Sequence, residues 1–283
     1  MVFKFFESNR NKGYTLIELM ISIAIIGIIS SVVFVAFSSA REKSRMSTAK
    51  MYEANHIGAL RNYLVAEWNF DDSSNRYLDS SGNGHNGTCS GSYCPSLFVG
   101  EGFNGKNALK FDGLNDSVYL GIGDDYFPLN TFTVCSWIKT SGLGTGMDEN
   151  GIMGIAYGLI LTLNSQGFFS TSMHNGSTNV TVVGNKKLDD GKYHHVCLNY
   201  NGTKRNMYVD GNLSISATTT WTGTTTWSGW GDVGLGINTN DRSKTIFKGF
   251  IDDTRIYSSY LSSSDIQKLY AEESAQRKLA EAK

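Results

Sequence analysis

One apolar run near the start of the chain constrains every later reading. Leu19 to Phe37 is an unbroken stretch of apolar or small residues, and at roughly 19 residues it is long enough to cross a hydrocarbon core as a helix. Ser22, Ser30 and Ser31 interrupt it mildly, since a helical serine can bond back to the helix's own carbonyls. The preceding residues 1–13 are polar, with Lys4, Arg10 and Lys12 against Glu7. A secretory signal peptide has a shorter apolar region that ends in a small-residue cleavage site. Here the small residue, Gly13, comes first. Cleavage there leaves the hydrophobic helix on the mature chain. Glu18 stands at the head of the run, where a carboxylate costs about 2.5–3.5 kcal/mol at the bilayer centre and less near an edge. Such an acid calls for a cation, either at the lipid headgroups or as the α-amine that cleavage exposes on Tyr14 of a neighbouring copy.

The stretch Lys12-Gly13-Tyr14-Thr15-Leu16-Ile17-Glu18-Leu19-Met20 resembles the processing site of type IV prepilins and pseudopilins at every position. The resemblance implies cleavage between Gly13 and Tyr14 by a prepilin peptidase, N-methylation of Tyr14, and assembly with other pilin subunits. It further implies that Glu18 neutralises an adjacent subunit's N-terminus. Basic residues flank the run on both sides, Lys4, Arg10 and Lys12 before it and Arg41, Lys43, Arg45 and Lys50 after. Charge alone therefore leaves orientation open, whereas the leader implies a cytoplasmic processed end and an external C-terminal domain. Between Ser38 and Ala66 only Gly58 breaks a run without Gly or Pro, so the helix is expected to continue to Ala66. Ile57, Leu60 and Leu64 fall at helical spacing for docking on a following domain. A rod from Thr15 to Ala66 would be about 78 Å long at 1.5 Å per residue. It lacks the proline that kinks many pilin helices.

From Trp68 the texture changes to short alternating runs broken by Asn-Gly, Asp-Gly and Gly-Asn pairs, which are turn signals. With 31 Gly, 2 Pro and only 18% charged residues, the composition suits many strands and tight turns. Strands are expected at Ala108–Phe111, Ser117–Leu120, Phe132–Ile138, His195–Tyr200, Asn206–Val209 and Ile246–Tyr257. Roughly a dozen strands without helical patterns between them predict a mainly β, two-sheet sandwich. Four segments resemble LamG-like (concanavalin A-like) jelly rolls in the right order. They are Trp68-Asn69-Phe70-Asp71 with Asp79 to Thr88, Phe111 to Val118, Gly191-Lys192-Tyr193-His194-His195-Val196, and Phe247 to Tyr257. Tyr193 replaces the usual Trp. The likeness covers residues 66–270 and divides the chain into a leader (1–13), a transmembrane and pilin-type helix (14–66), an antiparallel jelly-roll β-sandwich (67–261) and a C-terminal helix (262–283). Ser262-Ser263-Ser264-Asp265 is a capping-box variant, opening a helix from Asp265 to about Ala282 whose Ile266, Leu269 and Tyr270 can dock.

Four cysteines in an exported domain suggest two disulfides, with connectivity open from the count alone. Cys135 and Cys197 lie on strands that are near neighbours in the resembled fold, which implies a bridge between them. Cys89 and Cys94 close a short loop around Gly91 and suggest a local one. A rival metal site from His85, Cys89 and Cys94 lacks the fourth ligand zinc prefers. The resemblance also implies a structural calcium at Asp79, Asn83 and Asp252, since hard oxygen ligands suit that ion; the alternative makes them turn and strand-end caps. No alternating pair of carboxylates of the kind retaining glycosidases use is present, and Asp148-Glu149, Asp189-Asp190 and Asp252-Asp253 are adjacent pairs that point apart in a strand. No catalytic residue is assigned, and the chain is read as a non-enzyme. Trp221, Trp227 and Trp230 in the Thr- and Gly-rich stretch 218–231 either stack on sugar faces or cover a sheet edge. Lys+Arg at 25 against Asp+Glu at 26 gives no attraction to nucleic acid. These features predict a filament subunit, a single-pass precursor in the cytoplasmic membrane, that displays a domain for glycans or surface proteins. The alternatives are a pseudopilin of a secretion or DNA-uptake machine and a surface-anchored polysaccharide-acting enzyme.

Overall fold

The structure, a computed structural model, describes residues 15–30, 41, 43–44, 58–126, 131–144, 147–155, 158–174, 178–218, 232–237 and 245–281. Gly13, Tyr14, Trp221, Trp227 and Trp230 lie outside the described residues. The chain divides into two units, Met1–His56 and Ile57–Lys283.

In the first unit residues 16–30 form helix α1, opened by a capping box that joins Thr15 to Glu18. The Thr15 hydroxyl accepts the Glu18 N–H at 3.3 Å, and Glu18 Oε2 accepts the Thr15 N–H at 2.9 Å and its hydroxyl at 2.8 Å. Two of the orphan donors at the helix start are thereby satisfied. Ser22 donates back to the Glu18 carbonyl at 2.7 Å, as expected for serine in an apolar helix. Among the described residues no helix is long and apolar enough to cross a membrane; the expected span runs on through residues 31–37, outside them.

The second unit opens with helical residues 58–60, a 3₁₀ turn at Arg61–Tyr63 and strand β1 at Leu64–Trp68. The helix expected to reach Ala66 therefore stops short. Leu64 pairs with Tyr257 and Ala66 with Ile256, while Ala66 and Trp68 are fully buried. Joining a sheet edge and burying alternate side chains outweighs helix propensity here. Leu60 and Leu64 still pack against the domain, in the same apolar cluster.

The remaining strands are β2 (Ser96–Val99), β3 (Asn107–Asp112), β4 (Val118–Ile122), β5 (Phe132–Lys139), β6 (Asn150–Ile155), β7 (Leu159–Leu163), β8 (Phe168–His174), β9 (Asn179–Lys187), β10 (Tyr193–Tyr200), β11 (Lys204–Val209), β12 (Asn212–Thr218), β13 (Asp232–Leu235) and β14 (Lys248–Tyr257). They form two antiparallel sheets. The eight-stranded sheet runs β12-β11-β10-β5-β14-β3-β2 with β1 also on β14, and the six-stranded sheet runs β4-β13-β6-β7-β8-β9. Val134, Ile138, Val196 and Leu198 from the first sheet join Leu161, Phe169, Met173 and Val233 from the second in one core. This is the sandwich that the alternating pattern predicts.

The outer face of the larger sheet is also covered. Helix α2 (Ser263–Glu281) lays Ile266 and Leu269 over Cys135, Cys197, Tyr208 and Tyr257. Its start is the predicted capping box: the Ser262 hydroxyl accepts the Asp265 N–H at 3.2 Å, and Asp265 Oδ2 accepts the Ser262 N–H at 2.8 Å. Tyr270 stacks on Trp137 with ring centroids 5.7 Å apart. A helix thus fills a face that a free sandwich would leave in water.

Candidate functional site

Strand alternation sends Cys135 and Trp137 of β5, and His195 and Cys197 of β10, toward α2. Cys135 and Cys197 are direct cross-strand partners with Cα atoms 4.1 Å apart, and they are disulfide-bonded. Cys89 and Cys94 form the second bridge, so the described cysteines leave no free thiol. Among the described residues, the group of His, Cys, Asp and Glu side chains close enough to share a metal is Cys135, His195 and Cys197. Its two sulfurs are bonded to each other, so no thiolate is left to ligate. The same holds for the His85, Cys89 and Cys94 combination.

Beside the buried bridge lies an ionic network. Arg255 reaches Glu67 at 2.6 Å and Asp253 at 3.7 Å and also pairs with Glu273 of α2. Trp137 donates its indole N–H to Glu273 at 2.5 Å, and His195 Nε2 lies 3.7 Å from the same carboxylate. Burial, with the nearby Arg255 charge, lowers the His195 pKa to about 3. The ring is neutral and sealed from water, and the Arg255–Glu273 and Trp137–Glu273 contacts tie α2 to the sheet, beside a small cavity of about 110 Å³ that Glu67, Arg255 and Glu273 line.

The residues expected to hold calcium are otherwise engaged. Asp79 Oδ1 accepts the N–H groups of Glu67 at 3.0 Å and Ser81 at 2.9 Å, and Oδ2 accepts that of His85 at 3.0 Å. Asn83 donates its amide to the Leu64 and Val65 carbonyls at 3.0 and 2.9 Å. Asp252 accepts the Phe103 and Asp253 N–H groups, each at 2.8 Å. Burial and then the neighbouring Asp253 charge hold the Asp252 carboxyl well above its usual range. Each of these side chains is thus engaged with backbone groups, and the carbonyls of Leu64 and Val65 accept from Asn83. Asp79 caps the turn at Ser81, as the alternative has it, whereas Asn83 bonds carbonyls at the start of β1 and Asp252 lies within β14 and holds the Phe103 N–H.

A cleft of about 330 Å³ opens on the opposite, six-stranded side, a feature the sequence analysis did not single out. Its rim carries Tyr93, 57% exposed, and Tyr119, 43% exposed. Thr88, Ser90, Asn115 and Ser117 line it, over Ile237 and Ile246. Each rim tyrosine has a local cause. Tyr119 is an outward position of β4, between buried Val118 and Leu120. Tyr93 ends the 3₁₀ turn Gly91–Tyr93, inside the loop that Cys89–Cys94 closes. The two sides are tied by paired N–H to carbonyl bonds between Thr88 and Tyr119, each 2.7 Å, and by the Ser117 N–H donating to the Tyr93 carbonyl at 2.8 Å. Gly87 allows the close approach, since a Cβ there would come within 2.8 Å of Val118. The sequence signal was present in Tyr93 and Tyr119 as aromatics at solvent-facing positions, but only the fold brings them together.

A family model described as "Concanavalin A-like lectin/glucanases superfamily" matches residues 112–267, which is more than half of the chain. The chain belongs to the concanavalin A-like lectin/glucanases superfamily. A second model, the prokaryotic N-terminal methylation motif, matches residues 8–34, so a pilin-like N-terminus is fused to the concanavalin A-like domain. No curated protein matches the chain. Among solved structures, the binding domain of Paraclostridial Mosquitocidal Protein 1 is 16% identical, with TM-score 0.59, over 75% of this chain and 52% of that one. Domain 4 of AbnA, a GH43 extracellular arabinanase from Geobacillus stearothermophilus solved with arabinotriose, is 23% identical, with TM-score 0.56, over 73% of this chain and 98% of that one. The botulinum neurotoxin serotype D ligand-binding domain in complex with N-acetylneuraminic acid is 16% identical, with TM-score 0.58, over 77% and 52%. The match spans about half the length of the two toxin domains and nearly all of the arabinanase domain. At these identities the likeness is one of concanavalin A-like fold.

Proposed function

We propose that the chain is a type IV pilin-like subunit that carries a concanavalin A-like domain outward for binding glycans or surface proteins. The observation that carries this reading is the union of the methylation motif at residues 8–34 with the superfamily domain at 112–267 on one polypeptide. Processing between Gly13 and Tyr14 by a prepilin peptidase leaves Tyr14 as the methylated N-terminus. The precursor then sits in the cytoplasmic membrane and the assembled subunit lies outside the cell. Two of the structures that share its fold hold sugars, a neutral arabinotriose and an acidic N-acetylneuraminic acid, which favours a binding task over a passive spacer.

Glu18 has two tasks in this reading: it caps its own helix through Thr15 and answers the charge of a neighbouring Tyr14 amine. Glu18→Gln separates them, because the amide oxygen still accepts the Thr15 N–H while the charge is gone. The variant is expected to insert and be cleaved at Gly13 but to enter filaments poorly, scored by immunoblot of sheared filaments and by mass spectrometry of the N-terminus. Normal incorporation of the Gln variant rules out the charge-pairing mechanism, and a native N-terminus at Met1 rules out the filament assignment.

A further inference from the structure

We infer that the Tyr93–Tyr119 cleft is a subsite for a neutral saccharide; this rests on the glycan-binding reading above and names its place and ligand class. Small-molecule sites combine apolar walls with a few converging polar groups and span about 300–1,000 Å³, and this cleft of about 330 Å³ falls at the small end, sized for one or two sugar rings. Sugar rings offer apolar faces to aromatic side chains and hydroxyls to neutral donors and acceptors. Tyr93 and Tyr119 provide the first, as exposed rings among the lining residues. Thr88, Ser90, Asn115 and Ser117 provide the second, since hydroxyl and amide groups both donate and accept.

Charge selects the class. No carboxylate, ammonium, guanidinium or imidazole lines the cleft among the described residues, so these residues offer the carboxylate of a sialic or uronic acid no partner, a costly arrangement. A neutral pyranose or furanose meets no such penalty. The site is also held in place before any ligand arrives. The Cys89–Cys94 bridge fixes the Tyr93 turn, and the Thr88–Tyr119 backbone bonds hold Tyr119 in place, which lowers the ordering cost of binding.

The test uses the full chain purified in detergent micelles. It is applied to a printed panel of neutral oligosaccharides built from glucose, galactose, mannose and arabinose, beside a panel of sialylated and sulfated ones, with titration calorimetry on the best binder. Wild type is expected to bind neutral members. Tyr93→Ala and Tyr119→Ala are each expected to weaken binding about tenfold or more, while Tyr119→Phe keeps the ring face and stays within about threefold. Ser117→Trp, which fills the cleft from a half-exposed position, is expected to abolish binding and serves as the independent variant. Neutral-glycan binding that is unchanged in the Ala and Ser117→Trp proteins overturns the cleft while leaving the domain a glycan binder. Preference for the acidic panel also overturns the cleft assignment. Binding to neither panel overturns the saccharide reading of the whole domain.

Discussion

His194 and His195 are neighbours on β10 that titrate in opposite directions. Burial disfavours a charged His194, but Asp210 at 2.9 Å and Asp190 at 3.1 Å outweigh it and raise its pKa above the ordinary 6.5. Its contribution to stability is complete below about 6.5 and fades as pH rises through the raised value. His195, buried against Trp137, Tyr270 and the Cys135–Cys197 bridge, has its pKa lowered to about 3. There the unfolded chain takes up a proton below about 6.5 and the folded chain does not, so stability falls by about 1.4 kcal/mol per unit of pH descending toward 3. His195→Gln is therefore expected to flatten the acid limb of the stability profile between pH 6.5 and 4. His194→Gln is expected to flatten the limb above pH 6.5. Denaturant midpoints measured across pH check both, and an unchanged acid limb in His195→Gln removes this account. Strand alternation alone puts the two rings on opposite sides. It does not show which side holds two carboxylates and which holds a disulfide under a helix.

Among the elements, strands rich in β-branched and aromatic residues and bounded by turn pairs were legible, both where one face is wet, as in β3 and β4, and where both are covered, as in β5 and β10. β3, β4, β5, β10, β11 and β14 fall where alternation and turn residues place them, and the Ser262–Asp265 box marks the start of α2 to within a residue or two. β6 and β7 are also buried along their whole length, but β6 is rich in Gly and β7 in Leu, and a short apolar run such as Leu159–Leu163 does not announce strand over helix. β1 was hidden for the opposite reason, because Leu64 continues the helical spacing of Ile57 and Leu60. The Thr15–Glu18 capping box was legible as T-x-x-E but lay under the more conspicuous charge problem. The two bridges differ as elements too. Cys135–Cys197 closes a separation of 62 residues and Cys89–Cys94 one of 5, which in the chain-entropy account corresponds to about 4 and about 2 kcal/mol. The Cys135→Ser/Cys197→Ser protein is expected to lose roughly twice the stability of Cys89→Ser/Cys94→Ser, read by urea titration. The reverse order would show that loop closure does not govern them.

At the scale of the molecule, the chain joins two parts whose sequence signals do not overlap. The N-terminal motif is local, a row of nine residues, and is readable without a fold. The sandwich is recognisable from four separated motifs, but the cleft is not, since Tyr93 and Tyr119 line one opening only after β4 pairs with the loop at Thr88. The bridge on the other side has a further consequence for the order of maturation. Cys135 and Cys197 are almost wholly inaccessible beneath α2, and α2 follows both cysteines in the polypeptide. A thiol-oxidising enzyme can touch these sulfurs only while the helix is still undocked, so oxidation must come before the final closing step, and afterwards the helix shields the bond from reductants. Removing residues 263–283 is expected to leave the Cys135–Cys197 bond reducible by dithiothreitol in the folded protein, followed by thiol alkylation and mass spectrometry, whereas the intact chain resists. Equal resistance in the shortened chain would mean that the sheet, and not the helix, keeps the bond out of reach.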